Sequence, residues 1–265
     1  MDVDHKIAII TGAGSGIGRA TAIEFARHGC AVALVDIKED RLAEVLDEVR
    51  RYASASTAEV CDVSDEAQVK RMVQSVHERY GAIDILINNA GIQIVRSWEN
   101  LSSSEFDEQM AINFYGAIYC TRAVVPIMLN QGRGAILNLG SLDTKLPVPH
   151  LTAYAASKGA LLSFSEALHW DLTYKGRGIF VGVVLPGGTR SELVANADTK
   201  FGVYIGKHLT APPEKVARKI RTAIEKERFE TYISFMDRFY TFFAAHFPGL
   251  FKYFVYLRVR DHLEE

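Results

Sequence analysis

Tyr154 and Lys158 close the stretch YAASK, where the chain leaves a proline-bearing loop and enters an alanine- and leucine-rich run. In a helix, a spacing of four puts both side chains on one face. A phenol titrates at about 10 and is a poor base near neutrality. An ammonium ~4 Å away, at an effective dielectric of ~20, favours the phenolate by up to ~4 kcal/mol, about three pKa units. Such a pair can take a proton from a hydroxyl or return one to a carbonyl oxygen, which is the proton half of interconverting a secondary alcohol and a ketone. The other half is a hydride, carried by a nicotinamide and not by a side chain.

A place for a dinucleotide is legible near the start. TGAGSGIG (11–18) follows a β-branched run and opens a helical one. Gly12 allows a tight turn, Gly16 lets the backbone approach a pyrophosphate, and Gly18 lets the helix pack on the strand. The free N–H groups at the helix start, around Ser15, Gly16 and Ile17, face the negative charge. Asp36 follows eighteen residues after Gly18 and can accept both adenosine ribose hydroxyls. It repels a 2′-phosphate, with like charges ~4 Å apart costing ~4 kcal/mol at a dielectric of ~20. Ile37 and Ser15 supply no neighbouring cation, so NAD is expected over NADP. The alternative for Asp36, a simple cap for a helix beginning near Glu39, explains less. Asp62 and Val63 in CDVSD are candidates for holding the adenine, with Ser64 as a helix cap beside them. Asn89, Ala90 and Gly91 in NNAG end a strand with a backbone that a cofactor can approach closely.

These residues need a frame that brings strand ends together. Short β-branched runs alternate with longer amphipathic ones, the pattern of βαβ units. Strands are expected at 6–11, 31–36, 55–61, 82–88, 134–140, 178–186 and 230–234. Helices are expected at about 16–28, 39–51, 65–79, 104–130, 151–175 and 212–226. Runs such as IAII and VGVV are apolar on both faces, which a sheet covered on each side by helices requires. The fold class is therefore α/β: a doubly wound parallel sheet of about seven strands in three layers. Residues 141–150 and 187–210 are the two irregular segments. Both follow strands, so both belong at the carboxyl edge, where ligands bind in such sheets.

Composition narrows the setting. The chain has 265 residues, 48% of them hydrophobic, and a formal net charge of −2, which argues against a nucleic-acid footprint. Cys30, Cys61 and Cys120 have no metal spacing and read as buried thiols in a reducing compartment. No metal site is expected. The charged start MDVDHK carries no signal-peptide core, and no run of about eighteen uncharged apolar residues stands out as a bilayer span. A cytoplasmic protein is expected.

TGAGSGIG, NNAG, a Ser thirteen residues before a Tyr, YAASK and PGG (186–188) stand in the order and spacing of the short-chain dehydrogenases/reductases. The chain resembles that family over residues 6 to about 234. The resemblance implies a Rossmann-type fold, with Ser141 bonding the substrate oxygen and Lys158 also holding the nicotinamide ribose. It implies that Asn113 anchors a water that relays protons to Lys158. After Pro186 and Gly187 the family often has an apolar pair and then Thr. Here Thr189 and Ser191 are alternatives for bonding the carboxamide. The resemblance further implies a homodimer or homotetramer built through 104–130 and 151–175.

The candidate substrate wall is Gln93, Ile94, Leu142, Leu146, Val148, His150 and parts of 190–210, mainly apolar, with Lys145 and His150 as polar members. Asp143 reads as a surface partner of Lys145. Residues 1–234 are expected to form one dinucleotide-binding catalytic domain. Residues 235–265 are an extension crowded with Phe and Tyr, and Pro248-Gly249 should break it into two helices. Helices packed on the body or a subunit, a peripheral membrane contact through 235–260, and a gate over an oily substrate are the three roles that fit it. The activity expected is NAD-dependent interconversion of a moderately apolar secondary alcohol and its ketone. A 3-oxoacyl thioester reductase and a non-catalytic NAD-binding sensor are the rivals.

Overall fold

The computed structural model describes residues 1–189 and 211–260, the side chains of residues 258 and 259 excepted. Ser191 and the remainder of the 190–210 wall lie outside the described residues.

The first half runs β1 (Ile7–Thr11), α1 (Gly16–Arg27), β2 (Ala31–Asp36), α2 (Glu39–Arg50), β3 (Thr57–Val60), α3 (Glu66–Tyr80) and β4 (Ile85–Asn88). The second half has α4 (Ser103–Met110), a π turn (Ala111–Tyr115), α5 (Gly116–Gln131) and β5 (Gly134–Leu139). A 3-10 turn (Leu142–Thr144), α6 (Thr152–His169), a second π turn (Trp170–Tyr174) and β6 (Ile179–Leu185) follow. Then come α7 (Pro213–Glu225), β7 (Glu230–Tyr232), α8 (Phe235–His246) and α9 (Pro248–Val259).

The seven strands form one parallel sheet in the order β3-β2-β1-β4-β5-β6-β7. The alternation of residues along each strand divides the core in two. Ala8, Ile10, Leu34, Ile85 and Ile87 pack toward α1, α2 and α7, whereas Ile9, Val35, Leu86 and Ile136 pack toward α3 and α5. The chain leaves β1 in one direction and returns beside it as β4 from the other. The crevice between their carboxyl ends is the switch point of the sheet.

Several boundaries differ from expectation. The strands expected at 55–61 and 82–88 shorten to four residues each, because their ends are polar or already turning. The α3 cap is Asp65, whose carboxylate accepts from the N–H of Ala67 and Gln68; Ser64 instead bonds to Asp62. The long helical runs are interrupted by π turns, one of which holds Asn113. By length and composition the continuous helix Ser103–Gln131 would pass for a membrane span, contrary to expectation. It buries Asn113, Cys120, Val124 and Met128 in the body, so its apolar character is explained as core.

Candidate active site

The glycine loop is tied to the end of β4 by side chains. Thr11 Oγ1 accepts from the N–H groups of Asn89 and Ala90, both at 3.0 Å. Asn89 Nδ2 donates to the carbonyls of Thr11 (2.9 Å) and Gly12 (3.1 Å). Gly12 takes a φ of 63°, left-handed backbone that glycine adopts without strain. A Cβ on Gly18 would lie 1.9 Å from the Gly12 carbonyl oxygen, so only glycine lets α1 start this close to the loop.

Asp36 does not cap α2, whose capping residue is Lys38. Its Oδ2 accepts from the Gly14 N–H at 2.9 Å and its Oδ1 from the Lys38 N–H at 3.1 Å. Sequence reasoning found no cation here, yet Lys38 and Arg41 join Asp36 and Ile37 on the cavity wall. The signal for Arg41 was its position one turn into α2, facing back toward the loop. Asp62 Oδ1 accepts from the Ser64 hydroxyl and N–H, and Val63 packs against Gly116.

At the reacting end, Ser141 follows β5 while Tyr154 and Lys158 lie one turn apart on α6, and all three are buried. Lys158 Nζ donates to the Leu139 carbonyl at 2.8 Å and stands 6.0 Å from the Tyr154 ring centre. Asn113 Oδ1 accepts from the Ile92 N–H at 2.8 Å, and its Nδ2 donates to Ile92 O at 2.9 Å and Ser157 Oγ at 3.0 Å. It thus pins the segment after NNAG to α6.

Electrostatics depart from the sequence argument. Burial pushes the Tyr154 phenol up, the Asp143 carboxylate pushes it further, and only the Ser141 hydroxyl draws it down. Burial depresses Lys158 to about 8. The ammonium bonds a backbone carbonyl, and burial works against both charged forms, the Lys158 ammonium and the Tyr154 phenolate alike.

The substrate wall is also revised. Gln93, Leu142, Leu146 and Val148 line the cavity, whereas Ile94, Lys145 and His150 do not. His150 is buried at a φ of 64° and its carbonyl accepts from the Arg96 N–H. Lys145 pairs with Glu230 at 3.2 Å, across the sheet edge, leaving Asp143 to turn inward. Asp143 lines the cavity, and its Oδ2 accepts from the Ser141 hydroxyl at 2.9 Å. Pro186, Gly187 and Thr189 lie on the same wall, with Thr189 Oγ1 donating to Gly187 O at 3.2 Å. Tyr240 of α8 and Phe251, Phe254 and Val255 of α9 complete it, a contribution the aromatic crowding signalled without fixing.

One cavity of about 1140 Å³ therefore runs from Asp36 past Gly12, Ser15, Gly16, Ile17, Asn89, Ala90 and Gly91 to Ser141 and Tyr154. Gly18 and Asn113 support it from behind. Its glycine cradle, with a carboxylate at one end and buried hydroxyl groups at the other, fits a nicotinamide dinucleotide. Fold and site together define a dinucleotide-dependent oxidoreductase. The model of the family described as short chain dehydrogenase matches residues 6–201. The 11-beta-hydroxysteroid dehydrogenase A of Sesamum indicum is 35% identical over 243 residues, 87% of this chain and 69% of that one. A short-chain dehydrogenase/reductase from Burkholderia phymatum, solved in complex with NAD, superposes with a TM-score of 0.87 at 26% identity, covering 94% of this chain and 96% of that one. The 3-ketoacyl-(acyl-carrier-protein) reductase of Brucella melitensis, complexed with NADH, gives 0.78 at 29%, covering 87% and 97%. The chain belongs to the short-chain dehydrogenase family. It is an oxidoreductase acting on CH–OH donors, with NAD as its cofactor.

Proposed function

We propose that this enzyme interconverts a moderately apolar secondary alcohol and its ketone, using Ser141, Tyr154, Lys158 and Asn113. The carrying observation is that Ser141 and Tyr154 meet Leu142, Leu146, Val148, Phe251, Phe254 and Val255 on one cavity wall. Two hydroxyl groups there join a mainly apolar lining, with Gln93, Asp143 and Lys158 as its polar members, which suits one polar oxygen on an apolar body.

When bound, NAD supplies the hydride acceptor or donor. Asp36 accepts the adenosine ribose hydroxyls, the 12–18 loop holds the pyrophosphate, and Asp62 and Val63 hold the adenine. Lys158 binds the nicotinamide ribose, and Thr189 or Ser191 the carboxamide. Gln93 and Leu142 border the substrate. In reduction, the Tyr154 and Ser141 hydroxyls donate to the carbonyl oxygen, and the Tyr154 proton moves to it as charge develops. In oxidation Tyr154 accepts the alcohol proton as the phenolate, a form that burial and Asp143 disfavour.

Residues 1–234 act as the catalytic domain and 235–265 as an extension that both walls the cavity and rests on a membrane surface. Exposed Tyr115, Trp170 and Tyr174, beside α5 and α6, suit a homodimer or homotetramer. The enzyme works as a cytoplasmic, peripherally attached protein.

The test is a panel of secondary alcohols and ketones with NAD(H) and NADP(H), followed at the reduced-cofactor absorbance. Turnover of apolar members with NAD(H), lost in Tyr154→Phe while NADH still binds, supports the reading. Turnover confined to acyl thioesters would replace it with the thioester reductase, and full function in Tyr154→Phe with the sensor.

A further inference from the structure

Asp143 lines the cavity beside Ser141, and the mechanism above gives it no role toward that serine. Its contacts converge on Ser141. Ser141 Oγ donates to Asp143 Oδ2 at 2.9 Å and accepts from the Asp143 N–H at 3.2 Å. A serine hydroxyl has one proton. While that proton is held by the carboxylate, a charge-assisted bond stronger than one to a neutral carbonyl, Ser141 has none to offer a substrate oxygen.

We propose that Asp143 is a positioning residue that switches Ser141 between two hydrogen-bond states. Ionised Asp143 captures the Ser141 O–H and leaves the serine only as an acceptor. Protonated Asp143 donates its own proton to Ser141 Oγ, and the Ser141 O–H rotates toward the substrate. The switch takes up one proton from solvent, on the Asp143 carboxylate; Ser141 keeps its own proton in both states and turns it from Asp143 to the substrate, while the carboxyl becomes the donor to Ser141 Oγ. The inference rests on the reading of Ser141 as donor to the substrate oxygen.

The surroundings support it. Burial raises Asp143 to about 6, against the lowering effect of the Ser141 bond, so the carboxyl titrates in a working range. The titratable groups facing it are Tyr154 and Lys158 from α6 and Tyr240 from α8, on the same cavity wall. Lys145, two residues on, is engaged with Glu230, and Asp237 is held in the capping box of α8. Of these only the Tyr154–Asp143 coupling is expressed, and it too keeps a proton at the site. Protonated Asp143 thus serves ketone reduction twice, by freeing Ser141 and by removing a charge beside Tyr154.

The test uses full-length protein with ¹³Cγ-labelled aspartate, Asp143 being assigned with Asp143→Asn. The carboxyl should titrate near the raised position, and Ser141→Ala should move it upward by at least about half a unit as the lowering bond is lost. Reduction of 2-decanone by NADH should fall as pH rises through the same range. Asp143→Asn, which carries no charge at any pH and can donate to Ser141 through its amide, should stay flat and exceed wild type about 30-fold at pH 7.5. An Asp143 that titrates at the ordinary carboxylate position, or that Ser141→Ala leaves unmoved, overturns the proposal. So does a pH limb that persists in Asp143→Asn. If no protein reduces 2-decanone at any pH, the substrate reading has failed instead, and the paired titrations alone decide the switch.

Discussion

Lys158 and Tyr154 show how a site can be built against its own stability. The ammonium is taken out of water and given one carbonyl, Leu139 O, in return, and burial lowers it from 10.5 to about 8. The folded chain therefore binds fewer protons than the unfolded chain between these values. Stability rises as pH climbs through that window, and the penalty is complete below about 8. Lys158→Met should then unfold at higher urea than wild type at pH 7, by about 1–2 kcal/mol once the lost hydrogen bond is subtracted. That advantage should narrow by pH 9.5, and the variant should be inactive. A variant weaker than wild type at both pH values would mean the lysine is a net structural asset. Tyr154→Phe should keep NADH binding while turnover drops by roughly 10²–10⁴, as measured by single-turnover reduction. Asp36 reads the other end of the cavity. Asp36→Ala should cut the preference for NADH over NADPH by about 100-fold in fluorescence titrations, because it removes a ribose acceptor and leaves Lys38 and Arg41 on the wall. An unchanged ratio would assign selectivity to the backbone.

At the scale of elements, the β1–loop–α1 unit depends on a missing side chain. Gly18→Ala would set a methyl 1.9 Å from the Gly12 carbonyl oxygen, so α1 must back away from the strand. Overpacking of this kind costs about 1–3 kcal/mol, and the loop it displaces is the one proposed to hold the pyrophosphate. The variant should melt earlier and bind NADH at least about ten-fold more weakly; normal binding would show that the loop tolerates the shift. This unit was legible in the sequence because β-branched run, glycines and acid are contiguous. The strand bodies were legible too, since β1, β4, β5 and β6 are buried on both faces and read as unbroken apolar runs. The π turns were not, because an extra residue in a turn leaves the apolar periodicity of 104–130 nearly intact. Residues 141–150 were least legible. Lys145 pairs with Glu230, far along the chain, which leaves Asp143 facing Ser141 and not solvent. No local pattern carries that exchange of partners. The phenol–ammonium pair was legible only in part: spacing gave the shared helix face but not the Leu139 carbonyl that the amine also bonds.

The whole molecule adds a pair of helices that face the cavity and face outward. Tyr240, Phe251, Phe254 and Val255 line the cavity, Tyr240 and Phe254 while still 46% and 55% exposed, and Phe235, Phe239, Phe242, Phe247, Tyr253 and Tyr256 stand exposed as well. No residue of α8 is buried, so this surface is larger than the body needs. Within 235–260 the charges are Asp237 against Arg238, Lys252, Arg258 and Arg260, a local basic excess that Asp261, Glu264 and Glu265 balance over the extension as a whole. An aromatic surface with a basic rim suits an anionic lipid interface, where rings sit at the headgroup boundary and cations stay in water. The two faces also predict two separable losses on truncation. Full-length protein should float with anionic liposomes, retain part of that binding in high salt because the apolar term is unscreened, and bind neutral liposomes less well. Residues 1–234 alone should not float. The same truncation removes one wall of the chamber but nothing near Asp36, so KM for an apolar ketone should rise at least about ten-fold while NADH affinity holds. Flotation of neither protein, with KM also unchanged, would leave the aromatic pair as packing for a second subunit, and sedimentation of the truncated protein should then show a smaller assembly.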